Sequence, residues 1–128
     1  MVTTLRTFSG FSVDDLDPAL RFYRDTLGLP VRTNDMGGLE IELSGGASVF
    51  VYPKGEAHAP ASYTVLNLVV PDIDAAVTEL EAAGVKLLRY PGFDQDERGV
   101  ARSTDPAQGP TIGWVADPAG NVVALIQD

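Results

Sequence analysis

The chain has 128 residues, 45% of them apolar, with no cysteine and a formal net charge of −9 at pH 7. This length and composition predict one soluble globular domain, residues 1–128, with a sizeable hydrophobic core. The acidic charge argues against nucleic acid, which binds clustered Lys and Arg, and no apolar run reaches the ~20 residues of a membrane span. Without cysteine or a signal-peptide pattern at the start, a cytoplasmic location is expected.

The first half of the sequence is predicted to be a strand, a helix and three further strands. An apolar strand is expected at about 7–13, and an Asp-rich segment then precedes a helix with Pro18 near its first position. Gly28 is expected to end this helix. The alternating segment GLEIELSGGASVFVYP predicts a hairpin around Gly45-Gly46. The apolar residues at helical spacing are Leu16, Ala19, Leu20, Tyr23 and Leu27.

The second half repeats this order. After a first module at about 1–54 and a linker at about 55–62, a second module at about 63–128 opens with VLNLVVPDIDAAVTELEAAGVKLL, in which Val70 aligns with Val13. A strand, a helix ending at Gly84 and a strand in VKLL are expected. The segment TIGWVADPAGNVVALIQ predicts a last hairpin. The coarse order is β-α-β-β-β, twice.

A long loop, PGFDQDERGVARSTDPAQGP, interrupts the second module at 91–110. Loops of this length are often functional lids. An equally good interpretation is a mobile, solvated excursion. The sequence leaves both open.

Two such modules, with VDDLDPALRFYRDTLGL opening one and WVADPAGNVVALIQ closing the other, resemble the vicinal oxygen chelate superfamily. That group includes glyoxalase I, extradiol dioxygenases and bleomycin resistance proteins. The resemblance covers nearly the whole chain and implies an α+β fold in which two modules pair into a curved mixed sheet around a shared cavity. In the enzymes of the group, His and Glu side chains hold a divalent metal there, which acts as a Lewis acid or in O₂ chemistry.

The metal-ligand positions implied by this resemblance carry no donor atoms. The first-strand His falls on Phe8, its counterpart in the second module on Val65, and the Glu of the last strand on Ala124. A fourth ligand falls on Val49 or Val51. Divalent metals need imidazole, carboxylate or thiolate donors at about 2 Å. We therefore expect no metal and no other cofactor.

Other polar groups give only weak alternatives. His58, the single histidine, lies in the linker and is more often solvated than catalytic. Glu40 and Glu42 share a strand face and could hold a cation, but such pairs usually point to solvent. The acidic cluster at 94–97 lacks the spacing of a calcium loop.

Alternation along the strands predicts a mostly apolar cup with a few polar points. Ser12 and Asn67 are the polar points, and Trp114 offers a flat surface for an aromatic ligand, a role that Tyr52, Tyr63 and Tyr90 could share. The alternative is that the valines fill the core and Trp114 is a core or dimer contact. The direction of Tyr52 stays open. The candidate ligand-binding residues are Phe8, Ser12, Tyr52, Tyr63, Val65, Asn67, Trp114 and Ala124.

The favoured function is metal-free binding of an apolar or aromatic small molecule between the modules, similar to bleomycin resistance proteins. The alternative is a glyoxalase- or dioxygenase-like enzyme (lyase, isomerase or oxidoreductase) with a non-standard or metal-free site, in which Tyr63, His58 or a loop Asp titrates. A third possibility is a degenerate module that binds other proteins and has no ligand pocket. A homodimer is the expected assembly.

Overall fold

The computed structural model describes residues 1–128, and the chain divides into two compact units, Met1–Pro60 (unit 1) and Ala61–Asp128 (unit 2). The predicted α+β class, with a β-α module in each half, is confirmed. Neither helix is long and apolar enough to cross a membrane. Unit 1 contains β1 (Ser9–Val13), α1 (Leu16–Leu20), β2 (Val31–Thr33), β3 (Leu39–Glu42) and β4 (Ser48–Pro53). Unit 2 contains β5 (Thr64–Val70), α2 (Ile73–Ala82), β6 (Ile112–Ala116) and β7 (Val122–Gln127).

Unit 1 has a four-stranded mixed sheet in the order β1-β4-β3-β2. β1 and β4 are parallel, and the other neighbours are antiparallel. The predicted hairpin forms between β3 and β4: Leu43 N donates to Ala47 O at 2.8 Å. Gly45 and Gly46 have φ of 85° and 87°, a conformation that glycine adopts without steric cost.

Helix α1 begins where the Asp-rich segment predicts. The Asp15 side chain accepts a hydrogen bond from Asp17 N at 3.3 Å and so satisfies one of the free N–H groups of the first turn. Gly28 lies just beyond the helical region with φ of 71°, as expected for a residue that ends a helix.

Beyond α1 the helix continues as a wider π-helical segment, Arg21–Thr26, which the sequence did not predict. Its spacing is visible in the hydrogen bond from Leu27 N to Phe22 O at 2.9 Å. Phe22 and Tyr23 are adjacent in sequence, yet both are buried, at 6% and 0% exposure. Their rings meet edge to face at 5.1 Å, so this segment supplies most of the aromatic core of unit 1.

Unit 2 has a three-stranded sheet in the order β5-β7-β6, with β5 parallel and β6 antiparallel to β7. Helix α2 starts at the predicted cap, where the Asp72 side chain accepts from Ala75 N at 3.1 Å. The apolar stripe of α2 is buried at Ile73, Val77 and Leu80. This packing places one face of the sheet under the helix and leaves the other face for a site.

The strand predicted in VKLL after α2 is not formed, which corrects the β-α-β-β-β order of the second module. Leu88 N does donate to Trp114 O at 2.7 Å, but a side chain then takes over. Gln95 Oε1 accepts from Tyr90 N at 2.8 Å, and Gln95 Nε2 donates to Leu88 O at 2.8 Å. A loop glutamine therefore satisfies backbone groups that a neighbouring strand would otherwise pair.

The last hairpin turns at D-P-A-G-N as predicted, and a buried carboxylate holds it. Asp117 Oδ1 accepts from Ala119 N at 2.9 Å and Asn121 N at 2.8 Å, while Asn121 Nδ2 donates to Asp117 Oδ2 at 3.1 Å. Asn121 Oδ1 in turn accepts from Ala61 N at 3.0 Å. Asp117 and Asn121 are only 4% and 1% exposed, so the turn is part of the core of unit 2.

Candidate functional site

The two faces of the unit 1 sheet differ. Phe11 and Val13 of β1 are buried, and the ring of Phe11 lies 5.8 Å from that of Tyr23 in the helical region. Ser12, between them, points to the opposite, open face because side chains alternate along a strand. Ser12 is in register with Tyr52 on β4, so Tyr52, whose direction the sequence left open, lies on the open face too.

Aromatic rings cover part of this open face. The ring centroids of Phe8 and Phe50 lie 6.5 Å apart in an edge-to-face arrangement, and those of Phe50 and Tyr52 lie 5.7 Å apart in a stacked arrangement. The Arg6 guanidinium lies 5.1 Å from the centroid of Phe8, within cation–π range. Gly10 lies beside these rings: a Cβ there would lie 3.0 Å from the Phe50 backbone oxygen and 3.8 Å from Cε1 of the Tyr52 ring. Phe8 and Tyr52 thus form an aromatic surface that also contains Phe50, which sequence reasoning missed.

The placement of a fourth metal-ligand position on Val49 or Val51 is wrong. Both side chains lie in the core, at 3% and 0% exposure. Phe50 and Tyr52 occupy the open face instead, because shifting a strand by one residue turns every side chain to the other face. Neither ring is an imidazole, carboxylate or thiolate.

His58 is not a simple solvated linker residue, contrary to expectation. Its Nδ1 lies 2.8 Å from Ser12 Oγ, and the contact is partly buried. The tautomer decides which atom donates. The hydrogen bond holds the single imidazole of the chain beside the open face of β1.

Glu40 and Glu42 share a strand face as predicted, but a side chain of the protein neutralises them. Arg32 lies 3.0 Å from Glu40 Oε2 and 3.4 Å from Glu42 Oε1. A guanidinium therefore occupies the place that a bound cation would take.

The metal of the family's enzymes does not fit the residues present. Phe8, Val65 and Ala124 stand at the ligand positions and carry only hydrocarbon side chains. Within residues 1–128, no group of three or more His, Asp or Glu side chains is arranged to hold a metal ion. No chemical step is therefore assigned to a metal.

Three predicted residues of unit 2 form one row across its sheet. Asn67 of β5 is in register with Ala124 of β7, and Ala124 is in register with Trp114 of β6. Residues paired across strands point to the same face. Asn67 is exposed, Trp114 is half-buried, and Ala124 is 0% exposed between them. The methyl group of Ala124 therefore lies between the amide of Asn67 and the indole of Trp114.

Val65 does not belong to this row. The pairing shifts between Thr64 and Leu66, where Thr64 pairs with Val122 and Leu66 with Val123, so Val65 is the extra residue of a β-bulge. The simple alternation that placed Val65 beside Asn67 fails for this reason. Thr64 lines the pocket described next, and Val65 does not.

An open pocket of about 210 Å³ lies at one end of the row. The ring of Trp114 is met by Tyr90 at 5.3 Å and by Phe93 at 5.1 Å, both tilted toward edge-to-face geometry. Tyr63 is 70% exposed at the rim. The lining residues are Ser62, Tyr63, Thr64, Tyr90, Phe93, Trp114 and Val122.

Of these residues, Tyr63 and Trp114 were among the predicted candidates and Tyr90 was expected to share their role, while Phe93 was not assigned to the pocket. The signal for Phe93 is the segment Y-P-G-F. Phe93 N donates to Tyr90 O at 3.3 Å, and Gly92 has φ of 91°, so a tight turn brings the two rings together.

The first part of the long loop is anchored to α2. This anchoring favours neither the functional lid nor the mobile, solvated excursion that the sequence left open. Arg102 Nη2 lies 2.6 Å from Asp74 Oδ1 and 3.0 Å from Asp96 Oδ2, and Arg98 lies 2.7 Å from Glu81. Hydrogen bonds from Arg102 hold the pKa of Asp74 below its usual value. These ion pairs fix the loop that carries Phe93 to the body of unit 2.

Comparisons with known proteins agree with this architecture. Residues 6–125 match the family model of the Glyoxalase/Bleomycin resistance protein/Dioxygenase superfamily. An uncharacterized protein of Mycolicibacterium smegmatis is 32% identical over 87 residues, which cover 68% of this chain and 73% of that protein.

Solved structures share the fold over nearly the full length. The antibiotic binding protein TnmS3 from Streptomyces sp. CB03234 has a TM-score of 0.66 and 24% identity, covering 98% of each chain. A glyoxalase/bleomycin resistance protein from the same organism has a TM-score of 0.62 and 25% identity, covering 94% of this chain and 100% of its own. Oxidase ChaP-H2 has a TM-score of 0.70 and 20% identity, covering 98% and 95%. The chain belongs to the Glyoxalase/Bleomycin resistance protein/Dioxygenase superfamily.

Proposed function

We propose that the protein binds an aromatic small molecule in the pocket of unit 2, without a metal and without changing the molecule chemically. The observation that carries this proposal is the open aromatic pocket around Trp114. The rings of Tyr90 and Phe93 are inclined to the indole by 83° and 62°, so neither ring is stacked face to face on Trp114, and a flat ligand can pack on an aromatic face. Thr64, which lines the pocket, can orient a polar substituent. Apolar walls with a few placed polar groups are typical of small-molecule sites.

Two further points support binding over metal chemistry. Phe8, Val65 and Ala124 offer no donor atom where the family's enzymes hold a metal. The family also includes proteins that bind small molecules, and TnmS3, which shares the fold, is described as an antibiotic binding protein. The proposal for this chain takes from them the class of function and no particular ligand.

Tryptophan emission tests the proposal directly, because Trp114 is the single tryptophan of the chain. A panel of flat aromatic natural products is titrated while emission and melting temperature are followed. A binder at one hundred times its Kd stabilises by about 2.7 kcal/mol, which raises the melting temperature by several degrees. Divalent metals and a chelator, run in parallel, are expected to change nothing.

Two variants locate the binding. Tyr63→Ala removes an exposed ring at the pocket rim and should weaken binding by at least about twofold to tenfold, since a stacked aromatic pair contributes roughly 0.5–1.5 kcal/mol beyond its buried area. Met36→Ala is the matched control: Met36 is 67% exposed and lies in unit 1. Equal affinities of the two variants, or a strong metal-induced shift, would contradict the proposal.

A second candidate function is a metal-free enzyme, and one observation favours it. The single imidazole of the chain lies 2.8 Å from the Ser12 hydroxyl on the open face of unit 1. An imidazole within hydrogen-bond reach of a hydroxyl is the geometry of general-base catalysis. In that case a compound bound on the open face of unit 1 would be consumed, and His58→Gln would abolish its consumption. Recovery of every bound compound unaltered excludes this candidate.

We also propose that the protein is a cytoplasmic homodimer. Members of this family often pair modules across a dimer, and the chain contains no cysteine, as suits a reducing compartment. Light scattering after size-exclusion chromatography should then give twice the 13.6 kDa mass of one chain. Fractionation of the producing cell tests the location.

A further inference from the structure

We propose that the ligand is an aromatic compound bearing an amino sugar, and that the amino sugar occupies a second pocket behind Phe93 and Trp114. The inference rests on the proposed function, because the aromatic part is placed in the pocket already described. It adds the chemical class of the rest of the ligand. The second pocket, called the loop pocket below, is lined by residues of the loop at 93–110 together with Ile112 and Trp114.

The sizes of the two pockets favour a ligand that extends beyond the first. The aromatic pocket has about 210 Å³, which is below the roughly 300–1,000 Å³ of ordinary small-molecule sites. The loop pocket adds about 380 Å³. Phe93 and Trp114 line both pockets, so the two pockets adjoin at these rings and one extended ligand could occupy both.

The lining of the loop pocket suits a sugar ring. Two aromatic side chains offer apolar surface on which the C–H face of a pyranose can pack. The lining also includes Thr104, Gln108, Asp94 and Asp105, whose side chains carry a hydroxyl, an amide and two carboxylates. Each sugar hydroxyl both donates and accepts, and these groups supply both functions.

The charge of the loop pocket favours an amine. Arg102 lines it, but its guanidinium is paired with two carboxylates, Asp74 at 2.6 Å and Asp96 at 3.0 Å. Asp94 and Asp105 take part in none of the ion pairs of the chain. The pocket thus has two carboxylates without a counterion, and a cationic amine is the group that complements them.

The loop pocket is ordered by its own hydrogen bonds. Ser103 Oγ donates to Gly109 O at 2.7 Å and closes the loop. Asp105 Oδ1 accepts from Ala107 N at 3.0 Å, which fixes the carboxylate and leaves Oδ2 for a ligand. Side chains held in place before binding lose little entropy when the ligand arrives.

Three synthetic probes with one aromatic part test the inference: 4-methylumbelliferone, its β-glucoside and its β-glucosaminide, which carries a free amine. Affinities are measured by isothermal titration calorimetry. We expect the glucosaminide to bind at least about tenfold more tightly than the glucoside, since a hydrogen bond to a charged group is worth roughly 1.5–3 kcal/mol. Salt at about 1 M, where the Debye length is ~3 Å, should reduce this preference.

Matched variants separate the pocket from the overall charge. Asp94→Asn and Asp105→Asn should each remove most of the amine preference, and an asparagine at 105 keeps the oxygen that accepts from Ala107 N. Asp35→Asn removes one charge from an exposed turn of unit 1 and should leave the preference unchanged.

The outcomes distinguish this inference from the proposed function. Equal affinities of the three probes overturn the inference alone. The inference also fails alone if Asp35→Asn lowers the preference as much as Asp105→Asn, or if the glucosaminide does not bind while other aromatic compounds do. If no aromatic compound binds at all, both the inference and the proposed function are wrong.

Discussion

Replacing Asp117 by alanine should destabilise the protein severely, because one buried carboxylate serves several donors. The substitution removes the acceptors of Ala119 N, Asn121 N and Asn121 Nδ2, which lie 2.8–3.1 Å from the carboxylate oxygens. A hydrogen bond to a charged group contributes roughly 1.5–3 kcal/mol, and a buried donor left unsatisfied costs about 1–3 kcal/mol. Because these contributions are not additive, we expect a loss of about 3–5 kcal/mol.

The chain contains a matched control for this substitution. The tripeptide Asp-Pro-Ala occurs at Asp105 as well as at Asp117. Asp105 also accepts from the N–H two residues later, Ala107 N at 3.0 Å, but it is exposed, whereas Asp117 is 4% exposed. An exposed cap replaced by alanine should cost only about 0.5–1 kcal/mol, since water can satisfy the freed donor.

Urea unfolding followed by far-UV circular dichroism measures both variants. The midpoint should fall far more for Asp117→Ala than for Asp105→Ala, with the slope unchanged. Asp117→Asn keeps an acceptor at the same place and should recover part of the loss. If both alanine variants lost the same free energy of unfolding, burial would not be what makes the final turn costly to change.

Three further predictions concern other parts of the chain. Asp74→Asn should make the melting temperature depend less on pH in the acid range. The pKa of Asp74 in the folded state lies below its usual value, chiefly because Arg102 donates hydrogen bonds to the carboxylate. The contribution of Asp74 to folding stability is therefore complete at neutral pH and is lost as pH falls below about 4. A wild-type profile no steeper than that of the variant would contradict this assignment. Gly99→Ala should cost about 1–3 kcal/mol, because φ is 96° and a Cβ would lie 2.7 Å from the Cβ of Leu87; a chemical-denaturation midpoint equal to wild type refutes it. His58→Ala should cost about 1 kcal/mol through loss of the 2.8 Å bond to the β1 serine, and retention of full stability would show that water replaces the imidazole.

Local signals in the sequence predicted much of the fold. Asp15 and Asp72 cap the two helices, and glycines turn both hairpins. These features depend on a few neighbouring residues, so the chain itself reveals them. The alternation of β1 likewise placed Ser12 on the open face.

The errors arose where a distant residue decides the local structure. Gln95 supplies the hydrogen bonds that a strand partner was expected to provide, and nothing in VKLL indicates this. The bulge at Val65 breaks an alternation that is regular in the sequence. Val49 and Val51 were assigned to the open face because no motif fixed the register of β4.

The candidate site was predicted only in part, because some of its residues are placed by local motifs and others by contacts between distant residues. Asn67, Trp114 and Ala124 are in one row because the register of a hairpin and a parallel strand follows from the motifs around them. The pairing of Arg102 with Asp74 joins residues far apart in the sequence, so the anchoring of the loop could not be foreseen. Phe93 was therefore not recognised as part of the pocket.

The irregular segments that contain Leu88 and Ala101 lie beside β6 and also protect the protein from aggregation. β6 is the edge strand of its sheet, but Ile112 exchanges both backbone hydrogen bonds with Ala101, and Trp114 O accepts from Leu88 N. A foreign strand therefore finds these groups already occupied. Deletion of the loop would expose an apolar strand edge able to recruit further chains, so the loop can vary in sequence more easily than it can be lost. A segment that shapes a pocket also keeps the sheet from growing.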